Sequence, residues 1–254
     1  MITIKNKKEI KTLAKGGAIL SSILHRVAKE AKAGVSTEYL NNLAEVLIEK
    51  KGAKPSFKGF GLTNPYPAAL CASINEHVVH SIPSSEKILK EGDIIGLDLG
   101  IKYPGQNGLY TDMAITVGIG KINQEAKKLI EVTREALKLI IKKLKPGITT
   151  GDLGHLIQEY VESQGFSAVR ELVGHGVGYE VHEEPKLPNY GRPGEGEVLK
   201  EGMVLAFEPM INAGGWQVEF GEDGWDVTTK DKSLSAHFEH TVVVTKKGCE
   251  VLTK

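Results

Sequence analysis

Apolar side chains recur at helical spacing in the first part of the chain. Between positions 7 and 33 they fall three or four residues apart, which predicts a helix that stops at Gly34. Ser36 or Thr37 can then cap a second helix that runs to about position 50. Residues 54–67 are rich in glycine, proline and aromatic side chains, and this composition predicts a shaped loop after the two helices.

The pattern then changes to that of strands. Residues 93–101 are almost entirely apolar and residues 109–118 alternate, with a glycine-rich and proline-containing turn between them. Two more helices are predicted at 124–144 and 149–164, where a Lys-Pro-Gly sequence separates them. Further segments with strand character are 169–172, 203–208, 217–220, 226–228 and 237–245.

Two helices thus precede strands, and then two helices precede strands again. This order favours an α+β fold, and its repetition indicates an internal duplication. The 254 residues contain no low-complexity segment and no evident interdomain linker, so we expect a single domain over 1–254.

Composition narrows the class of protein. Lys plus Arg and Asp plus Glu both number 32, and this zero net charge argues against a general nucleic-acid binder. The apolar runs are too short to span a bilayer, and the first residues lack the pattern of a signal peptide. The two cysteines, Cys71 and Cys249, lie far apart, which fits reduced thiols and a cytoplasmic location better than a disulfide.

Five potential metal ligands stand in short distinctive settings. They are Asp98 in IIGLDLG, Asp112 in LYTDMAI, His175 in LVGHGVG, Glu208 in AFEPM and Glu239 in AHFEHTVVV. Four carboxylates and one imidazole suit Mn, Fe, Co or Zn. Paired divalent ions need bridging carboxylates and activate water for hydrolysis, so this set predicts a site for two metal ions.

The local settings support that interpretation while leaving alternatives open. Asp98 and Asp112 lie in apolar strands, where a carboxylate is costly unless it is paired, metal-bound or satisfied by backbone donors. An antiparallel hairpin can bring such residues onto one face, about 5 Å apart. His175 lies between glycines that allow close backbone approach and an exposed imidazole, although a histidine in a flexible loop is the alternative.

Other ionisable residues near these motifs are not all expected to bind metal. Glu183 and Glu184, which precede Pro185, are expected to be solvated charges on a loop rim. In a continuous strand His237 shares the face of Glu239 and could approach the metals, whereas His240 lies on the opposite face and is interpreted as structural.

Longer motifs carry a family resemblance. The stretches CASINEHVVHSIP, GHGVGYEVHEEP, FEPMINAG and DGWDVTTKDKSLSAHFEHTVVVT resemble the signature sequences of type I methionine aminopeptidases, members of peptidase family M24. The resemblance covers about positions 4–252. It implies the pita-bread fold, an antiparallel sheet covered by helices with pseudo-twofold internal duplication.

The resemblance also implies roles for the five residues. Asp98 would chelate one ion, His175 and Glu208 would hold the other, and Asp112 and Glu239 would bridge the two. A water or hydroxide between the ions would attack the peptide carbonyl, with Glu208 as the general base that passes the proton to the leaving amine. His80 and His182 would contact the substrate and stabilise the tetrahedral intermediate.

The implied substrate is the initiator methionine of a peptide or nascent chain whose second residue is small. Tyr66, Cys71 and Trp225 would line the pocket for the methionine side chain. A monomer that acts in the cytoplasm, in association with the ribosome, would be expected, with no membrane or specific nucleic-acid partner. His77 matches no family position, and we expect it to be structural or on the surface.

The chain departs from the family pattern in three places. Asp98 and Asp112 are separated by a longer interval than usual, so the turn at 102–109 is expected to be extended. Thr63 and Val181 stand where aromatic residues are frequent, which predicts a relaxed limit on the second residue of the substrate. Ser81 replaces a common glycine. His237 stands where the family commonly has an amide.

Four alternatives share the fold. Prolidases and Xaa-Pro aminopeptidases have the same ligands but a long additional N-terminal domain, and type II methionine aminopeptidases have a late helical insertion for which there is no room. A non-catalytic relative that binds protein or RNA would have lost ligands, and a creatinase-like hydrolase would not need the metal set.

Overall fold

The computed structural model describes residues 2–254, which form four helices and fifteen strands. The helices are α1 (Lys7–Glu30), α2 (Thr37–Lys50), α3 (Gln124–Lys143) and α4 (Thr150–Ser163). The strands of the first half are β1 (Lys54–Pro55), β2 (Leu70–Ile74), β3 (His77–Val79), β4 (Ile94–Tyr103) and β5 (Leu109–Gly118). Those of the second half are β6 (Ser167–Ala168), β7 (Val173–Gly176), β8 (Glu183–Pro188), β9 (Val204–Phe207), β10 (Met210–Asn212), β11 (Val218–Phe220), β12 (Val227–Thr229), β13 (Ser235–His237), β14 (His240–Val244) and β15 (Cys249–Val251).

All four helices begin at polar caps that the local sequence supplies. Asn6 and Glu9 form a capping box at the start of α1, and the Ser36 hydroxyl accepts the Tyr39 amide at 3.2 Å to start α2. Asn123 caps α3, and Thr149 forms a second capping box at α4. The predicted helices are therefore confirmed to within a few residues. The first ends three residues early, at Glu30, because Ala31 adopts an extended backbone conformation.

The apolar faces of the helices cover antiparallel strands in two separate cores. One core lies between α1, α2 and the strands β2, β4 and β5. The other lies between α3, α4 and a set of strands that includes β9, β10, β13 and β14. Two helices over strands, occurring twice, confirm the α+β class and agree with the predicted internal duplication.

Within the described residues the strands form four sheets, and every strand pair is antiparallel. The long hairpin of β4 and β5 dominates the first sheet, and the five-stranded sheet has the order β15-β14-β9-β7-β8. In the described part of the chain, no helix has the length and apolar character needed to cross a membrane. Both cysteines are free thiols.

Two threonine hydroxyls, of Thr116 in β5 and Thr241 in β14, connect the two halves of the molecule by hydrogen bonds. The Thr241 hydroxyl accepts the Asp112 amide at 2.9 Å and donates to the Asp112 carbonyl at 2.8 Å. The Thr116 hydroxyl makes the corresponding pair of hydrogen bonds to the backbone of His237, at 2.9 and 2.8 Å. We call the line along which these contacts lie the seam. The Glu239 amide adds a third connection to it, because it donates to the Ala114 carbonyl at 2.8 Å.

Two strand predictions and one loop prediction need correction. Residues 169–172 are not a strand, because the strands lie on either side of them, in β6 and β7. The segment 237–245 is divided into β13 and β14, which pair with different strands, β10 and β9. The loop predicted at 54–67 begins with the short strand β1. Pairing partners far away in sequence decide these details, and the local apolar pattern does not contain them.

Candidate metal centre

The five candidate ligands lie on or beside strands from both halves. Asp98 is in β4 and Asp112 in β5, where Asp98 pairs with Ala114 and Asp112 pairs with Gly100. The two aspartates therefore occupy diagonal positions on one face of the hairpin. Only residues 104–108 lie outside the strands, so the extra length falls within the predicted turn and leaves the shared face intact.

The second half contributes the remaining three candidates. His175 lies in β7, Glu208 follows the last residue of β9, and Glu239 lies in the gap between β13 and β14. Asp112, His175 and Glu239 each offer an atom, and these atoms all lie within 4.8 Å of one another. Glu208 joins the group, with Oε1 at 3.4 Å from His175 Nε2. Side chains that are distant in sequence thus converge on one point at the seam.

Glycines make this convergence sterically feasible. A Cβ atom on Gly174 would lie 2.5 Å from the Ala206 carbonyl oxygen, and one on Gly176 would lie 2.3 Å from the Glu184 carbonyl oxygen. These distances are too short for any side chain, so glycine on each side of His175 lets β7 lie between its neighbours. The close backbone approach predicted from the GHG sequence is confirmed, but the expectation of an exposed imidazole is wrong, because His175 is buried.

The carboxylates are buried without countercharge. Burial raises the pKa of Asp112 to about 7, with a further contribution from the charge of Glu208, and burial raises the pKa of Glu208 to about 8. The pKa values of Asp98 and Glu239 are also raised well above their usual range, first by burial and then by neighbouring carboxylates. The four carboxylates line one small cavity, and among the described residues that line it there is no lysine or arginine.

Two oxygen atoms of the cluster are orphaned. Asp98 Oδ1 and Glu239 Oε1 are buried and have no hydrogen-bond partner among the described residues. An unpaired buried carboxylate is strongly unfavourable, and a bound cation offsets that cost directly. Oxygen donors with one imidazole match the preferences of Mn, Fe, Co and Zn. The donor set therefore fits divalent cations.

Two further histidines face the same point. The ring of His182 packs edge-on against His175, with centroids 4.5 Å apart, and against Phe60 at 5.0 Å. His80 lies 6.3 Å from Trp225, and burial lowers its pKa to about 4. His182 belongs to the open cleft, yet the loss of water around its ring also lowers its pKa. Both imidazoles are therefore neutral at pH 7 and can donate a hydrogen bond.

Of three further histidines, one reaches the carboxylate cluster and two have partners elsewhere. His237 is 2 % exposed, and its Nε2 lies 3.5 Å from Glu208 Oε2, so it reaches the cluster as the sequence suggested. His237 is the last residue of β13, so it does not share a continuous strand with Glu239 as expected from the sequence. His240 contacts Thr253 at 2.9 Å, away from the cluster. His77 instead pairs with Asp226 at 2.8 Å.

A small cavity of about 60 Å³ adjoins the carboxylates. Tyr66, Cys71 and Trp225 line it, as predicted, and Tyr66 lies edge-on to Trp225 at 5.2 Å. The Tyr66 hydroxyl lies 3.1 Å from the carbonyl oxygens of both Leu70 and Ser81 and shares its one proton between them, while the residue lines the cavity. Phe57 and Phe60 also line the cavity. The sequence did not identify them individually, although the aromatic content of their loop was a signal.

A larger open cleft of about 610 Å³ leads to the same histidines and to Glu208. Over residues 2–254, the linings of the cleft and the small cavity include neither Thr63 nor Val181. Thr63 is exposed and Val181 is buried. The effect of these two residues on the second residue of the substrate therefore stays a prediction.

The interpretation of Glu183 as a solvated charge is also wrong. Its side chain is only 5 % exposed and forms an ion pair with Lys5, whose side chain is 1 % exposed, at 2.5 Å. Glu184 does lie on the exposed rim of the cleft. The partner of Glu183 lies 178 residues away in the sequence, so no local motif could identify it.

Comparison with known proteins agrees with this geometry. The model of metallopeptidase family M24 matches residues 11–246. The methionine aminopeptidase of Clostridium acetobutylicum is 48% identical over 253 residues, which cover 100% of this chain and 99% of that protein. The crystal structure of methionine aminopeptidase from Thermotoga maritima superposes with a TM-score of 0.96 at 47% identity, with 100% of both chains covered.

A prolidase offers an instructive contrast. The structure from Pyrococcus horikoshii superposes with a TM-score of 0.75 at 28% identity, and the match covers 99% of this chain but only 63% of that one. The shared part has the pita-bread fold, which confirms the fold expected from the sequence. Because the matches to methionine aminopeptidases extend over the whole of both chains and are much closer, this chain belongs to metallopeptidase family M24 and, within it, to the methionine aminopeptidases.

Proposed function

We propose that this protein is a metal-dependent aminopeptidase that removes the N-terminal methionine from peptides whose second residue is small. The observation that carries the proposal is the position of the small aromatic- and sulfur-lined cavity. It opens directly beside the buried carboxylate cluster, so a side chain held in the cavity brings its own backbone to the cluster. The names of the relatives agree with this activity.

The metal centre is proposed to hold two divalent ions, Mn, Fe, Co or Zn. Asp98 would hold one ion, His175 and Glu208 would hold the other, and Asp112 and Glu239 would be shared between the two. The orphaned oxygens of Asp98 and Glu239 support this assignment, because each is a buried acceptor that requires a partner. When bound, such ions supply Lewis acidity, which lowers the pKa of a water molecule and polarises a carbonyl group.

Glu208 is the proposed general base. A carboxylate at this position can accept a proton from a water molecule and release it to an amine, which is the task of a general base. Its carboxylate lies between His175 and His237, at 3.4 and 3.5 Å, so its position is constrained on both sides. Glu208 would take a proton from the attacking water and deliver it to the nitrogen of the leaving amine.

His80 and His182 are proposed to stabilise the oxyanion that forms at the scissile carbonyl. Their depressed pKa values keep both rings neutral, so each can donate one N–H group toward developing negative charge. His182 is held by its edge-on contacts with His175 and Phe60. Such prior orientation lowers the reorganisation needed when the substrate reacts.

Tyr66, Cys71 and Trp225 are proposed to bind the methionine side chain, because thioether sulfur packs favourably against aromatic rings. The two proposed oxyanion donors line the same cavity and would crowd the space beside the scissile bond. A bulky second side chain would have to displace packed groups, which dense protein interiors resist. Specificity would therefore come from the walls beside the reacting bond.

The proposal is tested by methionine release from peptides that differ only at the second residue. Met-Ala and Met-Gly peptides should be cleaved well, Met-Val and Met-Thr peptides moderately, and Met-Lys and Met-Phe peptides hardly at all, as measured by kcat/KM. A chelator should abolish release, and Mn, Fe or Co should restore it. Cleavage by metal-free protein, or a preference for Xaa-Pro peptides without methionine, would contradict the proposal.

We further propose that residues 1–254 form one catalytic domain, which acts as a monomer on peptide N-termini in the cytoplasm, in association with the ribosome. The family match over residues 11–246 and the full coverage of both relatives support a single unit. Light scattering coupled to gel filtration tests the monomeric state, since a dimer would double the measured mass from 27.5 kDa.

A further inference from the structure

A buried ion pair connects the segment of residues 2–5 to the loop that carries His182. Lys5 Nζ lies 2.5 Å from Glu183 Oε2, and the side chains are 1 % and 5 % exposed. The Thr3 hydroxyl donates to the same carboxylate oxygen. Except for Glu183, these residues lie outside every motif discussed above, and neither Lys5 nor Glu183 has a part in the proposed chemistry.

Glu183 organises its own loop with its other oxygen. Glu183 Oε1 accepts the backbone amides of Tyr179 at 2.5 Å and Glu180 at 3.2 Å. One carboxylate thus closes the turn 179–183 from within and ties that turn to Lys5. His182 is the residue immediately before Glu183, so the direction of its ring depends on how this turn is closed.

The segment that supplies Lys5 is itself anchored. The Lys5 amide donates to the Gly202 carbonyl at 2.9 Å, and Ile2 forms a parallel bridge with Glu184. Lys5 Nζ also lies over the ring of Tyr179, 4.8 Å from its centroid. The segment of residues 2–5 is therefore held by contacts with the loop at Tyr179, with Glu184 in β8 and with Gly202, which precedes β9.

The energetics favour a specific role over general stabilisation. Burial lowers the pKa of Lys5, while the attraction of Glu183 opposes that change without cancelling it. Burial raises the pKa of Glu183, but hydrogen bonds from Lys5 and Thr3 outweigh it and leave the pKa below its usual value. A buried ion pair often gives little net stability compared with apolar side chains, whereas it does define geometry.

We propose that the Lys5–Glu183 pair is a positioning device for His182, so that residues 2–5 belong to the architecture of the active site. The inference rests on the proposed function, in which His182 stabilises the oxyanion. Loss of the pair would let the turn 179–183 relax and move the His182 imidazole away from the reacting carbonyl. Misplacement of a catalytic group by about 1 Å is enough to lower turnover by about 100-fold.

The first test is the variant Lys5→Met, which keeps the length of the side chain and removes the charge. We expect kcat to fall about 10- to 100-fold, with KM changed little, because His182 acts mainly in the transition state. The matched control is Ile140→Val in the core of α3, at 0 % exposure, which lowers stability at a distance from the site. An equal loss of kcat in this control, at an equal loss of thermal stability, would overturn the inference.

A double-mutant cycle with His182→Ala shows whether Lys5 acts through His182. If Lys5 acts through His182, the two effects are not additive. In the His182→Ala background, Lys5→Met should therefore change kcat/KM by no more than about 2-fold, which is within the usual error of such cycles. The same large loss in both backgrounds would overturn the inference. If Lys5→Met does not fold, Glu183→Gln enters the same cycle, since the amide still accepts the Tyr179 amide but has lost the charge.

A measurement without catalysis separates this inference from the proposed function. In metal-free protein, the imidazole NMR resonances of His182 should shift in Lys5→Met, while those of His155, on α4, stay unchanged. Unchanged His182 resonances would overturn the positioning role. If His182→Ala retains full kcat/KM, the oxyanion role of His182 in the proposed function is wrong, and the resonances alone then decide whether the pair positions the ring.

Discussion

Substitution of single residues near the seam should affect turnover, thermal stability and metal content differently. Glu208 combines two assignments, ligand and base, and Glu208→Gln keeps the size of the side chain while removing its ability to take a proton. We expect turnover to fall on the order of 10²-fold or more, with thermal stability changed far less. Rapid-quench or continuous release assays measure kcat, and calorimetry measures the unfolding temperature.

The matched control for this change is Glu201→Gln, seven residues upstream on an exposed turn. It makes the same chemical substitution without approaching the cluster, so its turnover should equal that of the unaltered protein. If Glu208→Gln were folded and equally active, the proton would have to pass through another group.

His182 provides the second test at this scale, because it lies beside the cluster and is not among the five ligands. His182→Ala should lower kcat/KM about 10²-fold, as expected for the loss of one oxyanion donor. Bound metal, measured by atomic emission after dialysis, should remain unchanged. His155→Ala on α4 is the control, and loss of metal in His182→Ala would show that His182 is a ligand.

At the scale of elements, the strand β7 shows how backbone spacing determines the site. Gly174→Ala would place a methyl group 2.5 Å from the Ala206 carbonyl oxygen, so β7 and β9 would have to separate. We expect a loss of about 1–3 kcal/mol in the free energy of unfolding, together with weaker metal binding, since His175 lies on β7 and Glu208 directly follows β9. Urea unfolding and metal titration measure the two effects.

Gly248→Ala is the matched control, because the nearest atom to a Cβ at that position is 3.8 Å away. It should leave both quantities nearly unchanged. A Gly174→Ala variant with normal metal affinity would indicate that the spacing of β7 and β9 does not govern the ligands.

The elements also show what local sequence can and cannot predict. Helices were identified well, because apolar periodicity is a local signal, as is the cap at Ser36. The five candidate ligands were found from short motifs, and the structure brings them together. The break after His237 and the burial of Glu183 were missed, because each depends on a partner far away in the sequence.

At the scale of the whole molecule, the uncompensated carboxylates predict a pH dependence of stability in chelator-treated protein. The folded pKa values of Asp112, about 7, and Glu208, about 8, exceed those of unfolded carboxyl groups, about 4. The folded state therefore binds more protons. Its resulting stability is complete below about pH 4 and is lost as the pH rises through 7 and 8.

Urea unfolding between pH 5 and pH 8.5 in the presence of chelator measures this effect, and the free energy of unfolding should decrease with rising pH. Saturating Mn should remove most of the decrease, because metal binding replaces the protons. Glu208→Gln should show a shallower decrease in chelator. A free energy of unfolding that rises over this range would contradict the raised pKa values.

The seam has a consequence for the order in which the molecule is made. Asp98 and Asp112 are translated long before Glu239, and Thr241, which holds the backbone of Asp112, is translated later still. While the first half emerges, Asp98 and Asp112 have neither Glu239 nor the hydroxyl of Thr241 beside them. Because Glu239 stands near the end of the sequence, the candidate metal centre can be completed only after almost the whole chain has been made. A growing chain can therefore have a helix-covered hairpin well before it has a catalyst.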